Sequence, residues 1–398
     1  MSSEQPTSAR NKRALFRVLT AIICLAVSLA LAELAARFAE SETDRRLWKG
    51  VSVYRFTKNP LLLYEYRPLA HHTWKGIQIG INASGFRDHD YSKEKREGIF
   101  RIAVLGDSVM FGGDMKLELI AAKRMEAMLN ARKAGKFEIL NFAVPGYDIV
   151  QEVELFKTRV KDYEPDLVIF GYCLNDPDPT RGELDFIHQH PDLSALRPGK
   201  GSWLAFLCDH LYLARSLYRL GSRYQGAIEA REHIRQKLNE MSDPYATRRD
   251  INEELFKEIK EHGKKLGLTA EQNRQHFQEY YASLHINLRS WQRVADSLDE
   301  LKKANQRSTP IVIAIIPVAV SFKDYFLRPI HDFLATEIEN RGFNAVDLLP
   351  RFEKEAPEDL ALSDGDRVHY STRGHAVLAK ALVVAMEELK LLSETESP

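Results

Sequence analysis

Hydrophobic and polar positions fall into two regimes along the chain. Near the N-terminus the run Val18–Ala32, VLTAIICLAVSLALA, carries no charge and is bracketed by Arg17 and Glu33. With the end charges snorkelling, residues 14–36 are long enough for one tilted membrane span. From Phe100 onward, short apolar runs alternate with longer segments of helical period. Runs at 101–105, 137–141, 166–170, 310–316 and 343–346 predict strands, and segments 116–132, 147–162, 323–341 and 373–391 predict helices. Continuous apolar runs suit parallel strands buried on both faces. Strand–helix alternation then predicts an α/β class, a three-layer α/β/α core of the flavodoxin-like type with a parallel sheet.

Two stretches interrupt this order. Residues 37–99 read as a solvated connector (Glu40, Glu42, Asp44, Arg45, Arg46) and an irregular lead-in of short strands or loops, with turn signals at Asn82 and Gly85. About 140 residues separate the third and fourth strands, far more than a crossover needs. They predict a mostly helical insertion over about 177–275 and then one long helix over about 271–304. Within the insertion, Trp203, Leu204, Phe206, Leu207, Leu211, Leu217 and Tyr218 recur near helical spacing. Packing of that face on the core is the expectation; a lid or a membrane-facing surface is the alternative. Residues 392–398 are a tail.

Charge narrows the function classes. Lys plus Arg and Asp plus Glu number 56 each, so no global basic field exists to attract nucleic acid. The three cysteines, Cys24, Cys173 and Cys208, have no CxxC spacing, which argues against a disulfide framework or a thiolate zinc site. Arg10, Lys12 and Arg13 precede the apolar run. That asymmetry places residues 1–13 in the cytoplasm and everything after the span outside, on the extracytoplasmic or periplasmic side of the inner (plasma) membrane, in a single-pass topology. Cleavage after Ala30-Leu31-Ala32 is the rival reading.

Four segments carry chemistry, three of them at the C-terminal ends of predicted strands, where open α/β sheets build their sites. Gly106-Asp107-Ser108 follows the first strand. Alone it is an ordinary turn; as a strand-to-helix turn it exposes a hydroxyl and puts the Ser108 N–H at a helix start. Asn141-Phe-Ala-Val-Pro-Gly146 follows the second, where Pro-Gly makes a turn and Gly146 allows close approach of a backbone N–H. Asn175-Asp176 follows the third, as a turn or as an amide donor facing a cleft. Asp364-Gly-Asp366-Arg-Val-His369 precedes the last helix, in a predicted loop. An Asp three residues before a His can bond ring Nδ1 and leave Nε2 as a base. His375, placed in the last helix, and Asp364, five residues from His369, are set aside. His188 and His190 read as solvent-facing rather than as metal ligands.

In this order the four segments resemble the four blocks of the SGNH/GDSL hydrolase superfamily, across about Phe100 to Leu391 without the insertion. The segment Asn82-Ala-Ser-Gly-Phe-Arg87-Asp88 resembles the one preceding this domain in bacterial membrane-anchored members. The resemblance implies that Ser108 is the nucleophile, His369 the base and Asp366 its orienting acid. It also implies an oxyanion hole from the N–H groups of Ser108 and Gly146 and the Asn175 amide. Cys173 stands where many members have a glycine, with Gly171 two residues earlier. The implied activity is hydrolysis of an acyl ester, of esterase or carbohydrate-deacetylase type, on an acylated carbohydrate or lipid. No cofactor or metal is expected. An O-acyltransferase on envelope polysaccharide and a non-catalytic glycan-binding or assembly protein are the alternatives.

Overall fold

Five parallel strands, in the spatial order Phe137–Asn141 (β6), Phe100–Gly106 (β5), Leu167–Cys173 (β7), Ile311–Ile316 (β8) and Asn344–Asp347 (β9), form the sheet on which everything else is hung. The computed structural model describes residues 7–39, 53–57, 59, 61–62, 64–132, 136–178, 203–218, 252–266 and 278–392. The described residues fall into two compact units, Met1–Ser52 with His190–Glu232, and Val53–Gln189 with His233–Pro398.

In the larger unit, β5, β7 and β8 are buried along almost their whole length, as their unbroken apolar runs require. Helices Ala121–Arg132 and Thr372–Glu388 pack together, and helices Ile149–Thr158 and Leu288–Ala304 pack together. Right-handed crossovers put these two pairs on opposite faces. With the first two strands of the sheet reversed in order, this is the flavodoxin-like 2-1-3-4-5 pattern, whose switch point lies beside β5. All five strands and the layering match the pattern read from the chain.

Several boundaries differ for identifiable reasons. The helix expected over 116–132 begins as a 3₁₀ turn, Leu117–Leu119, and becomes α-helical at Ala121. The segment 147–162 starts only at Ile149, because Asp148 forms a capping box with Gln151. The single helix expected over 271–304 is two, Gln278–Ile286 and Leu288–Ala304. Asn287 leaves helical geometry between them and accepts the N–H groups of Arg289 and Ser290 as an N-cap. The lead-in forms two antiparallel hairpins, β1 (Tyr54–Phe56) with β2 (Tyr64–Tyr66) and β3 (His71–Trp74) with β4 (Ile77–Gly80).

The smaller unit contains helix Thr7–Ala39, whose stretch from Arg13 is long and apolar enough to cross a membrane. Its Leu15, Phe16, Ile22, Leu25, Leu31 and Leu34 are exposed. The described part of the insertion in this unit, helix Trp203–His210 and helical residues 212–218, leaves Trp203, Phe206, Leu211 and Leu217 exposed. Most of 177–275, including His188 and His190, and the connector 40–46 lie outside the described residues.

Candidate active site

Glycines first make the nucleophile turn possible. A Cβ at Gly106 would stand 2.5 Å from Met110 Cγ, and one at Gly171, its register partner on β7, 2.4 Å from the same atom. The two glycines thus seat Met110, so the chain can turn from β5 into the short helix Ser108–Phe111 against an undisturbed β7. Cys173 places its Sγ 3.2 Å from Asp107 Oδ1. Asp107 caps the turn by accepting the Val109 N–H at 2.8 Å. Ser108 is left half-buried at the head of the helix.

Asp366 and His369 lie on β11 (Asp366–Tyr370), paired antiparallel with β10 (Ala361–Ser363), not in a loop. Asp366 Oδ1 accepts the N–H groups of Val368 at 3.3 Å and His369 at 3.1 Å, which fixes the turn into the strand. The Ala319 N–H donates to Arg367 O at 2.8 Å, and the Tyr370 hydroxyl donates to Pro317 O. These bonds tie the hairpin to the segment following β8. The outcome is that His369 Nε2 stands 2.8 Å from Ser108 Oγ, while Nδ1 lies 2.8 and 3.0 Å from the two Asp366 oxygens.

The electrostatics follow from that contact. Burial would raise the Asp366 carboxyl, but bonds from the His369 ring and backbone pull it down to about 2. Burial opposes a charge on His369, yet Asp366 beside it outweighs burial and holds the imidazole above its ordinary 6.5. An imidazole so placed, with its tautomer set by a carboxylate, can take a proton from Ser108 Oγ.

Three candidate donors, the Ser108 and Gly146 N–H groups and the Asn175 amide, stand on the segments that follow β5, β6 and β7. Among the described residues, neither the Ser108 N–H nor the Gly146 N–H donates to a protein acceptor. Gly146 has φ of 80°, a conformation that a side chain would strain. The Tyr64 hydroxyl donates to Pro145 O at 2.7 Å. In a planar trans peptide the C=O and the following N–H point opposite ways. Tyr64 therefore turns the Gly146 N–H away from itself. The Tyr147 hydroxyl returns a bond to Tyr64 O, bracing the pair. The Asn175 amide donates one N–H to Asp107 Oδ2 at 3.3 Å, which orients the amide and leaves its second N–H.

The lead-in supplies supports that the chain's periodicity gave no sign of. Arg87, 1% exposed, donates to the carbonyls of Phe111, Gly112 and Met115, clamping the loop that follows the nucleophile helix. Asp88 accepts the Asn141 N–H at 2.7 Å and pairs with buried Lys123 at 2.7 Å. The motif Asn82–Asp88 was visible as a resemblance; its clamp was not. Tyr64 had no signal beyond being an aromatic in an irregular stretch.

Beneath the turn lies a buried acidic group. Burial, and then the charge of Asp176 for Glu152 and of Asp107 for Asp176, pushes both carboxyls well above their ordinary range. Neither Glu152 oxygen, nor Asp176 Oδ1, has a protein hydrogen-bond partner. Donor atoms of Asp107, Cys173 and Asp176 lie within 4.8 Å of one another. A thiolate would be needed to bind a metal there. Burial, with Asp107 and Asp176 next to it, pushes the Cys173 thiol well up instead, and Asp107 is committed to Val109 and Asn175. The donor set suits held protons.

The residues set aside have other work. His375 is buried and accepts the Ala121 N–H at 3.0 Å on Nδ1, and exposed Asp364 pairs with Arg367 at 2.9 Å. A surface groove lined by Phe156, Asp162, Pro165, Asn305 and Arg307 sits at the opposite, N-terminal end of β7 and takes no part.

No family model matches the chain, and no curated protein matches it. Among solved structures it is similar to LAE5, an α/β hydrolase enzyme from the metagenome of Lake Arreo, Spain, at 14% identity over 74% of this chain and 97% of that one, with a TM-score of 0.36. It is similar to TesA at 8% identity over 73% and 99%, TM-score 0.37. It is also similar to a variant of Axe2, an acetyl xylan esterase from Geobacillus stearothermophilus, at 13% identity over 73% and 96%, TM-score 0.37. At these identities the chemistry of the site is read from its own geometry.

Proposed function

We propose that this chain is a serine hydrolase of the SGNH/GDSL type that cleaves an acyl ester through an acyl-enzyme on Ser108. The observation that carries the reading is the contact chain Asp366–His369–Ser108, with His369 Nε2 2.8 Å from Ser108 Oγ. His369 takes the Ser108 proton as Oγ attacks the ester carbonyl carbon. The carbonyl oxygen becomes an oxyanion between the Ser108 and Gly146 N–H groups and the free N–H of Asn175. Collapse of the tetrahedral intermediate breaks the ester C–O bond, and His369 protonates the departing alcohol. Water, deprotonated by His369, attacks the acyl-enzyme; the acid leaves and Ser108 regains its proton.

The same proposal places the catalytic unit on the extracytoplasmic side of the inner membrane, anchored by residues 14–36, with acylated carbohydrate or lipid as substrate. The basic N-terminal flank and the exposed apolar helix support that placement. The test is fluorophosphonate labelling of the full chain in detergent, beside Ser108→Ala and His369→Ala. Labelling that needs both residues is the expected outcome. A folded wild-type chain that takes no label sinks the reading.

A further inference from the structure

In the unit that contains the apolar N-terminal helix, the helix does not end alone. Glu33 accepts the N–H groups of Tyr212 at 3.0 Å and Leu213 at 2.8 Å. Arg37, one turn later, bonds the same carboxylate at 3.1 Å and lies over the Tyr212 ring at 5.0 Å. The two N–H groups open the helical stretch 212–218 and would otherwise be among its orphan donors. One carboxylate thus caps the second segment and ties it to the first.

Its depth follows from simple geometry. At 1.5 Å per residue, Ala14 to Glu33 spans about 29 Å, close to the ~30 Å of a bilayer's hydrocarbon core. If the helix crosses a membrane, Glu33 holds residues 203–218 at the outer boundary between acyl chains and headgroups. At that level Trp203 is 74% exposed, Phe206 62%, Leu211 44% and Leu217 61%. Large aromatics and leucines are poorly served by water but suit that boundary, where tryptophan concentrates. Leu31 and Leu34 of the long helix, next to Glu33 in sequence, are also exposed.

We propose that residues 203–218 are a second membrane contact, a short amphipathic segment lying in the outer lipid interface and locked to the anchor through Glu33. It rests on the reading of the N-terminal helix as a membrane anchor. Its consequence is that this stretch of the insertion is held at the lipid surface.

The full chain, reconstituted in phosphatidylcholine vesicles, tests this through tryptophan emission. The difference between wild type and Trp203→Phe isolates Trp203. Retention through alkaline carbonate, with that difference emission quenched by brominated acyl chains and not by aqueous iodide, is the expected result. Glu33→Ala should then reduce the bromolipid quenching. Retention with quenching by iodide alone overturns the proposal while the anchor stands. Quenching by neither agent means Trp203 is covered by protein, such as a second copy, and also overturns it. Release by carbonate removes the anchor reading and this one together.

Discussion

The N-terminal ends of β5 and β6 and the C-terminal ends of β5 and β7 treat buried polar groups in opposite ways. At the N-terminal ends of the strands, Arg101 is 1% exposed, and its guanidinium donates to Glu138 Oε2 at 2.6 and 3.0 Å, to Tyr163 O at 2.7 Å and to Lys93 O at 3.0 Å. Arg96 takes the other Glu138 oxygen at 2.9 Å, and Asp166 accepts the Arg101 N–H at 2.7 Å. At the C-terminal ends, Glu152 and Asp176 keep carboxyl oxygens with no protein hydrogen bond, and the N–H groups of Ser108 and Gly146 have no protein acceptor. A buried polar group left unsatisfied costs about 1–3 kcal/mol. The saturated end fixes register through the Arg101–Glu138 pair of β5 and β6. The unsaturated end holds donors and protons where a reaction would use them, at a cost in stability.

If that contrast is right, the largest change in rate comes from the C-terminal end and the largest change in stability from the N-terminal end. Asp366→Asn should lower kcat by about 10²–10⁴, measured on a simple acyl ester. It should also move the pH profile. Asp366 raises the His369 pKa, and the base works only when neutral, so wild-type kcat/KM should climb through an inflection above 6.5. Removing the carboxylate lets that inflection fall toward more acidic pH. An unmoved inflection would mean the titrating group is not His369. Arg101→Ala should cost roughly 3–5 kcal/mol in denaturant unfolding, because Glu138 is then left buried beside one exposed partner. Its turnover per folded molecule should match wild type. Lost turnover in that variant would break the division between the two ends.

How legible each end was depends on what kind of signal it leaves in a chain. β5, β7 and β8 are continuous apolar runs, and burial on both faces produces that pattern directly, so they could be read to within a few residues of their bounds. Ser108, Asp366 and His369 were legible as short motifs whose chemistry needs fixed residue types, and the fold brings these three within hydrogen-bond range. The hairpin carrying Asp366 and His369 was not, because Gly365 reads equally as loop or as strand turn. The break at Asn287 lay inside an unbroken helical period, which a single capping amide overrides. Supports reached across the fold left least trace. Arg87 meets carbonyls at Phe111 to Met115, and Tyr64 meets Pro145 across 81 residues; backbone acceptors have no residue type to recognise.

Tyr64 gives a sharper probe of the unsaturated end than the triad does. Tyr64→Phe keeps the ring, which packs edge-on against Tyr54 and Tyr147 at 5.7 and 5.3 Å, and removes the hydroxyl that donates to Pro145 O. The Pro145–Gly146 peptide then loses the contact that aims its N–H. Loss of a direct oxyanion donor costs about 10²–10³; a donor that is present but less well aimed should cost less, roughly tenfold in kcat with KM little changed. A KM effect without a kcat effect would place Gly146 in substrate binding instead.

Glu152 tests the cost itself, through the smallest effect. Its carboxyl is fully buried and its pKa lies well above the ordinary 4.5, with burial the main cause and Asp176 the second. In the unfolded chain the same group ionises near its ordinary value. Below that pH both states hold the proton and no penalty arises. As pH rises above 4.5 the unfolded chain gains by ionising while the folded one does not, so the native state loses stability until its own raised pKa is reached. Glu152→Gln removes the titration while keeping the shape. It should therefore stabilise the protein by about 1 kcal/mol near pH 8, within the 1–3 kcal/mol that such a group costs, and by much less near pH 4. The same unfolding curves at both pH values check this. A variant less stable at pH 8 would mean that Glu152 is ionised in the fold and held by a cation, and the C-terminal end of the sheet would then be as saturated as the other.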